Sequence, residues 1–151
     1  MSSIHKNIHI DSFTAKQGYF LLTHWHLDHL KGLTRTWNKG PIYCTETTQK
    51  ILARTRPHVK NVQVIRYNQT VSILHFKVTF YSANHMQGSV MFYFDNQLTG
   101  QKTMYTGDYR YIPQMNLPRG RVDEIWLDGT FHNNKYRLAT CQQSVTLTHE
   151  W

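Results

Sequence analysis

Three histidines and one aspartate are crowded into the stretch His24-Trp25-His26-Leu27-Asp28-His29. Protonated imidazoles at this density would repel one another, whereas neutral imidazole and carboxylate bind a divalent cation together. Alternate residues of an extended segment share a side, so His24 and His26 can reach one ion while Asp28 and His29 turn towards another position. The stretch therefore predicts a metal site, and a histidine-rich loop without a metal is the alternative.

Further candidate ligands follow predicted strands, since such strands end directly before His24, His85, Asp108 and Asp128. If these strands share one sheet edge, their loops meet at a rim where layered α/β folds place ligands. His85 and Asp108 can then complete two ligand shells, with Asp108 as the bridge. The alternatives are a hydrogen-bonded core histidine at position 85 and turn-forming aspartates at positions 108 and 128. Asp11 is either a turn residue at a strand end or a carboxylate that orients a metal-bound histidine.

The elements that must position these side chains are mostly strands. Apolar alternation and short apolar runs predict strands over residues 4–10, 19–23, 41–44, 62–65, 71–74, 76–83, 89–94, 103–105 and 125–127. The spacing of Leu27, Leu30 and Leu33 predicts a short helix from about 28 to 36, which Asp28 could help to cap. Thr45 can cap a second helix that runs to about residue 55, before Pro57.

Length and charge bound the class of protein. A chain of 151 residues with 40% hydrophobic residues fits one globular domain. Its net charge of +8 favours polyanionic partners such as nucleic acid, and a solvated basic surface is the alternative. Basic residues that follow the histidine stretch could form a phosphate track or a solvated helix face; they are Lys31, Arg35, Lys39, Lys50, Arg54, Arg56 and Lys60.

The two cysteines and the short early apolar runs indicate an intracellular protein. Cys44 and Cys141 lack the close spacing of a zinc knuckle or redox motif, and no early apolar run is long enough for a signal peptide or a membrane span. We therefore expect no membrane partner.

Surface or packing roles are expected for the other histidines, which are His5, His9, His58, His75, His132 and His149. Packing, with base stacking as the alternative, is expected for Trp25, Trp37 and Trp126.

Several motifs together resemble one family. The His24–His29 stretch is similar to the second signature of the metallo-β-lactamase fold, and Asp11, His85 and Asp108 are similar to its first, third and fourth. The phrases 83–85, 88–92, 105–111 and 127–128 resemble the β-CASP DNA repair nucleases of the Artemis, Apollo and cross-link repair group, and 36–37 and 41–44 resemble the Apollo 5' exonucleases within it. The resemblance covers about residues 4–132.

The resemblance implies a fold, a cofactor and a reaction. The fold class would be α+β, the N-terminal half of a metallo-β-lactamase-like αββα sandwich that is strand-rich with at least two helices. One or two zinc ions would be held, the first by His24, His26, His85 and Asp108, and the second by Asp28, His29 and Asp108. Asp28 would also orient the attacking water, and Asp128 would be the acidic group of the first β-CASP motif. The activity would be metal-dependent trimming of DNA 5' ends in cross-link, break or telomere repair, in the nucleus.

The sequence also departs from the family. Met86 and Gln87 stand where the family has Cys-Pro, and Gly129 stands where it has Thr. Residues 1–132 would form a partial domain without the β-CASP insert and the second half, and 133–151 would be a divergent, frayed tail. We therefore expect a truncated, weakly active nuclease with an incomplete second metal site and an exposed apolar sheet face that a protein partner covers. The alternatives are a non-catalytic metal- or DNA-binding fragment and another hydrolase of the same fold, RNA-processing or acting on small molecules.

Overall fold

A computed structural model of the chain describes residues 4–130. The predicted tail at 133–151, together with His132, His149 and Cys141, lies outside the described residues. Within residues 4–130, no helix is long and apolar enough to cross a membrane.

A small parallel sheet carries the first part of the chain. Its strands stand in the order β1-β2-β3-β4, and each is parallel to the next. Their carboxyl ends therefore meet at a single edge of the sheet. The bounds are Ile8–Ile10 for β1, Tyr19–Leu21 for β2, Ile42–Cys44 for β3 and Val62–Val64 for β4.

A mixed sheet of five strands follows, in the order β5-β6-β7-β8-β9. The first four strands are antiparallel, whereas β9 is parallel to β8 and lies at the edge of the sheet. The bounds are Thr70–Ile73 for β5, Phe76–Ser82 for β6, Val90–Asn96 for β7, Lys102–Tyr105 for β8 and Glu124–Trp126 for β9. Every predicted strand is present, most of them with shifted or shorter bounds.

The helix predicted after Thr45 is confirmed. Helix α1 spans Glu46–Thr55, and the Thr45 hydroxyl accepts a hydrogen bond from the backbone N–H of Thr48 at 3.4 Å. This contact satisfies one of the backbone donors that every helix leaves free at its start.

The helix predicted over residues 28–36 is wrong in extent and in its cap. Only a single 3₁₀ turn forms, Leu27–Leu30, and it begins after His26 with no side-chain cap. Gly32 has a φ of +84°, and the backbone N–H of Phe13 donates to the Lys31 carbonyl at 2.7 Å. The Lys31 carbonyl is paired with the backbone of Phe13 and is not available for the hydrogen bonds of a longer helix, so the turn ends there.

The main core lies between the two sheets. Alternate residues of β6 and β7 are buried and face the parallel sheet, where Leu21 and Ile65 meet them. The aromatic rings of Phe80 and Phe92 pack edge to face, with centroids 4.9 Å apart. The strict alternation of apolar residues in β6 is therefore explained by burial of one face against the other sheet.

Helix α1 and the segment after the 3₁₀ turn cover the opposite face of the parallel sheet. Trp37 is buried there, with its ring 4.8 Å from that of Phe20, and its indole N–H donates to the Phe13 carbonyl at 3.1 Å. The packing role predicted for Trp37 is thus confirmed. This arrangement gives three layers, one helical and two of sheet, and confirms the α+β sandwich prediction.

The outer face of the mixed sheet is covered in part by residues 109–122. Met91 and Met104 are buried beneath Tyr109, Met115 and Val122. On β9 and just after it, Ile125 and Leu127 remain 58% and 60% exposed. The sequence predicted an exposed apolar sheet face. Because the two sheets cover each other's inner faces, the apolar surface that is exposed in the structure is smaller than a whole sheet face.

We predict that Phe92→Ala destabilises the protein by about 3–5 kcal/mol, because it empties a fully buried position between the sheets. Urea unfolding followed by circular dichroism measures the change. The control Leu98→Ala alters a side chain that is 76% exposed in the β7–β8 turn and should change stability by less than about 0.5 kcal/mol. Equal losses in the two variants would contradict the packing described above.

Candidate metal centre

The loops that carry the predicted ligands converge at one end of the sandwich. His24 follows β2 of the parallel sheet, whereas His85 and Asp108 follow β6 and β8 of the mixed sheet. The strands before these ligands do not all share one sheet edge, because the ligand-bearing loops come from two sheets. The backbone N–H of Val90 donates to the Thr23 carbonyl at 3.0 Å and joins the sheets beside the centre.

Four side chains form a compact donor set. One ligand atom from each of His24, His26, His85 and Asp108 lies within 4.8 Å of all the others. His26 Nδ1 is 3.0 Å from His24 Nε2 and 3.3 Å from His85 Nε2. Asp108 Oδ2 is 3.8 Å from His24 Nε2 and 3.5 Å from His85 Nε2. Three imidazoles and one carboxylate oxygen around a common point fit a divalent ion, because the ion satisfies all four sets of lone pairs.

The second carboxylate oxygen of Asp108 faces another group of polar side chains. Asp108 Oδ1 lies 3.3 Å from His29 Nε2, and His29 Nε2 lies 3.5 Å from Asp28 Oδ2. The side chain of Asp28 is 78% exposed, whereas that of His29 is 13% exposed. The structure thus brings all six predicted ligands together, with Asp108 between two groups, and Asp28 is the one least held by its surroundings.

A buried carboxylate supports the histidines from behind. Asp11 accepts hydrogen bonds from the Thr23 backbone N–H at 2.8 Å, from the Thr23 hydroxyl at 2.6 Å and from His29 Nδ1–H at 2.8 Å. Asp11 also stands at the end of β1 with a φ of 50°. It therefore combines the two functions that the sequence left open, since it turns the strand end and contacts a candidate ligand.

These contacts fix which ring nitrogens carry protons. Because the Thr23 proton is given to Asp11, the Thr23 oxygen accepts from His24 Nδ1–H at 3.0 Å. His24 Nε2 and His29 Nε2 are then left with lone pairs that point towards the donor groups. The tautomers of both histidines thus suit metal binding.

Burial and neighbouring charges shift the pKa values of these groups. Burial, followed by the charge of His29, lowers the pKa of His24 to about 3, so its imidazole is neutral at physiological pH. The hydrogen bond to Asp11 raises the pKa of His29 above its usual value, and burial raises the pKa of Asp11. A neutral His24 is the form that a metal ion requires.

The loop that presents His85 is held from several sides. The Ser89 hydroxyl oxygen accepts from the backbone N–H groups of His85 at 3.1 Å and Met86 at 3.2 Å, and the hydroxyl donates to the Met86 carbonyl at 2.8 Å. Thr45, the cap of α1, donates to the Gly88 carbonyl at 2.7 Å. Gly88 has a φ of +92°, and a Cβ there would lie 2.9 Å from Thr47 Cβ, so the turn requires glycine.

Asp128 lies at the mouth of a cleft beside the donor set. Its backbone N–H donates to the Thr106 hydroxyl at 3.0 Å, and its Oδ1 accepts from the Thr130 hydroxyl at 2.6 Å. Burial raises the pKa of Tyr105 to about 12, so this phenol in the cleft wall stays neutral. The cleft, about 330 Å³ in volume, is lined by His29, Tyr105, Gly107, Asp108, Trp126, Leu127, Asp128 and Gly129.

Three hydroxyl residues at the centre were missed by sequence reasoning, namely Thr23, Ser89 and Thr106. Each is buried and each bonds to a loop that carries a candidate ligand. The sequence offered one signal, because each stands within two positions of the point where a strand begins or ends. A polar residue at such a buried position needs a hydrogen-bond partner, and here the partners belong to Asp11, His85 and Asp128.

The family of the chain follows from its sequence match. The family model described as the beta-lactamase superfamily domain matches residues 11–150. The chain belongs to this family. The match includes Asp11, the histidine stretch, His85 and Asp108, which are the residues that the structure gathers.

Longer relatives share most of the chain. It is 34% identical over 126 residues to "DNA cross-link repair protein SNM1" of Arabidopsis thaliana, covering 80% of this chain and 26% of that protein. It is 36% identical over 117 residues to "5' exonuclease Apollo" of Gallus gallus, covering 74% of this chain and 25% of that protein. The chain therefore spans about a quarter of the length of these relatives and corresponds to their N-terminal portion. A solved metallo-β-lactamase of Cronobacter sakazakii matches 63% of this chain and 46% of its own at 16% identity and a TM-score of 0.48.

We predict that Thr23→Val weakens binding of a divalent metal ion, tested with zinc as the probe, about 10- to 100-fold while the chain stays folded, because His24 and Asp11 lose the hydroxyl that orients them. Competition titration with a chromophoric chelator measures the affinity. The matched control Thr34→Val, at an exposed position, should bind zinc like the unchanged chain. Unchanged affinity in Thr23→Val would contradict the orienting role of the hydroxyl.

Proposed function

We propose that the chain is the metal-binding part of a metal-dependent DNA nuclease that hydrolyses phosphodiester bonds at 5' ends. The observation that carries this proposal is the joint placement of His24, His26, His85 and Asp108 within 4.8 Å of one another. The names of the relatives support DNA as the substrate, since they are cross-link repair proteins and 5' exonucleases. The net charge of +8 suits a polyanionic substrate.

In this proposal each residue has a chemical task. His24, His26, His85 and Asp108 would hold the first ion, and His29, Asp28 and Asp108 would contribute to a second. When bound, divalent ions, which we take to be zinc, would supply the activation of water and the neutralisation of charge on a phosphate. Asp28 is exposed beside His29, so its free carboxylate oxygen can orient a water molecule and accept its proton. Asp11 keeps His29 in the required tautomer.

The cleft beside Asp108 is where a phosphate group would enter. Asp128 in its wall would act on the substrate through hydrogen bonds, while Thr106 and Thr130 fix its position. Most of the longer relatives' length has no counterpart in this chain, and residues from that part would complete the second ion's ligands. We therefore propose weak activity for this chain alone. Its place of action, by the names of the same relatives, would be the nucleus.

We predict metal-dependent cleavage of 5'-phosphorylated DNA by the zinc-loaded chain, measured by gel electrophoresis of a 3'-labelled oligonucleotide. His26→Ala and Asp108→Ala should each slow cleavage about 100-fold or more, because each removes a ligand from the first ion. His58→Ala, at an exposed position away from the centre, is the matched control and should cleave normally. If the chain binds zinc and DNA but cuts neither single-stranded nor duplex DNA, the non-catalytic binding fragment replaces the nuclease.

We also predict that the purified chain holds about one zinc ion, because within residues 4–130 only the first group brings four donor atoms within 4.8 Å of one another. Elemental analysis after dialysis measures the ratio of zinc to protein. His26→Ala should lower the ratio well below one, whereas His29→Ala should leave it near one. Two tightly held ions in the unchanged chain would show that His29, Asp28 and Asp108 suffice for the second site.

A further inference from the structure

The edge of the parallel sheet that carries the metal centre continues past it. The strands are all parallel, so the residues after β1, β2, β3 and β4 lie along the same edge. Asp11 and His24 follow β1 and β2, Thr45 follows β3, and the segment 66–69 follows β4 closely. Neighbouring strands are about 4.8 Å apart, so this segment lies about 10 Å along the edge from the strand that leads to His24.

The segment Arg66–Gln69 forms an ordered turn rather than a loose loop. Arg66 N–H donates to the Gln69 side-chain oxygen at 2.9 Å, and Gln69 N–H donates back to the Arg66 carbonyl at 3.1 Å. Asn68, with a φ of 63°, donates its N–H to the Phe80 carbonyl and accepts from the Asn116 amide at 2.7 Å. A binding surface on this turn would lose little conformational freedom when it is occupied.

Tyr67 connects this turn to the loop that presents His85. Its hydroxyl lies close enough to the backbone of Gly88 and to the side chain of Ser82 to interact with both, while 42% of the residue stays exposed. Gly88 is three positions from His85 and is held from its other side by Thr45. One end of the tyrosine is thus fixed to the metal-centre loop, and part of the ring is open to solvent.

An open polar cleft lies at the turn, lined by Val64, Arg66, Tyr67, Asn68 and Gln69. Its lining offers a guanidinium group, a fixed aromatic ring and two amides. Glu46 is the only acidic residue between positions 29 and 94, and its single negative charge is shared between Lys50, at 2.7 Å, and Arg66, so the local charge stays positive and suits an anion. A positive charge beside a half-exposed ring is the combination that binds an unpaired nucleotide, through its phosphate and its base.

We propose that Arg66 and Tyr67 form a binding site for one nucleotide of an unpaired nucleic-acid strand, with a base on the Tyr67 ring and a phosphate at Arg66. The inference rests on the proposed function, because it places the substrate strand along the sheet edge that runs from the metal centre past Gly88. The Tyr67 hydroxyl sets the orientation of the ring, and the ring face supplies the affinity. Because this segment lies about 10 Å along the sheet edge from the strand that leads to His24, the bound nucleotide would be a neighbour of the one at the metal centre rather than the one being cut.

The test measures binding of the zinc-loaded full chain to a short fluorescein-labelled single strand with phosphorothioate linkages, which resist cleavage. Fluorescence anisotropy should show that Tyr67→Ala binds about 10-fold or more weakly, whereas Tyr67→Phe, which keeps the ring, binds within about 2-fold of the unchanged chain. Arg66→Gln should make the slope of log affinity against log salt concentration shallower by about 1, because one phosphate contact is lost. Lys77→Gln, an exposed charge on β6, is the matched control and should leave that slope unchanged.

Thermal unfolding and zinc content of each variant separate lost binding from lost structure, and only variants that match the unchanged chain in both are compared. The site is overturned if Tyr67→Ala binds the strand normally, or if Tyr67→Phe falls as far as Tyr67→Ala, because the ring would then supply no affinity. Loss of affinity in Tyr67→Ala without any DNA cleavage by the unchanged chain refutes the nuclease and supports the binding site. Cleavage by the unchanged chain, together with normal strand binding by Tyr67→Ala, supports the nuclease and refutes the binding site.

Discussion

The buried carboxylate of Asp11 is the constraint on which the centre depends. A carboxylate removed from water is costly unless several donors reach it, and here the donors are the Thr23 backbone, the Thr23 hydroxyl and His29. These three bonds join the end of β1 to the end of β2 and to the 3₁₀ turn. The requirement for compensation thus forces three chain segments into one arrangement, and the same bonds set the tautomers of His24 and His29.

The second constraint is the contact between the two sheets at this end of the sandwich. Gly107 has a φ of +50°, and a Cβ there would meet Thr23 Cγ2 at 3.0 Å, so the loop that carries Asp108 lies directly on the residue that orients His24. The backbone of Val90 bonds to the same residue from β7. Thr23 is therefore where the two sheets, the buried carboxylate and the candidate ligands meet. The Thr23 hydroxyl contacts both Asp11 and His24, which explains why a hydroxyl rather than an apolar group is buried after the end of β2.

The sequence predicted the parts of this structure whose signals are local. The strand pattern and the Thr45 cap each depend on neighbours within a few positions, and the structure has both. The histidine stretch is also a local signal, and His24 and His26 from it lie in the donor set with His85 and Asp108. The helix predicted over 28–36 failed because leucine spacing carries no information about the pairing of Lys31 with Phe13, a contact between distant segments. The origin of the ligand loops in two sheets was missed for the same reason. Strand ends can be read from sequence, but which strands share a sheet depends on packing between distant segments.

The candidate ligands differ in how firmly the chain holds them. His24 is fully buried and fixed through Thr23, and His85 is fixed through the bonds of Ser89 to its loop, so the chain itself holds these two members of the first group in place. Asp28 projects into solvent and touches only His29 among the candidate ligands, at 3.5 Å. Preorganisation lowers the free-energy cost of metal binding where the chain already holds the ligands, at His24 and His85, and leaves that cost to be met at Asp28. His29 is also held, by its hydrogen bond to the buried Asp11, so the difference in support falls within the second group as well as between the two groups.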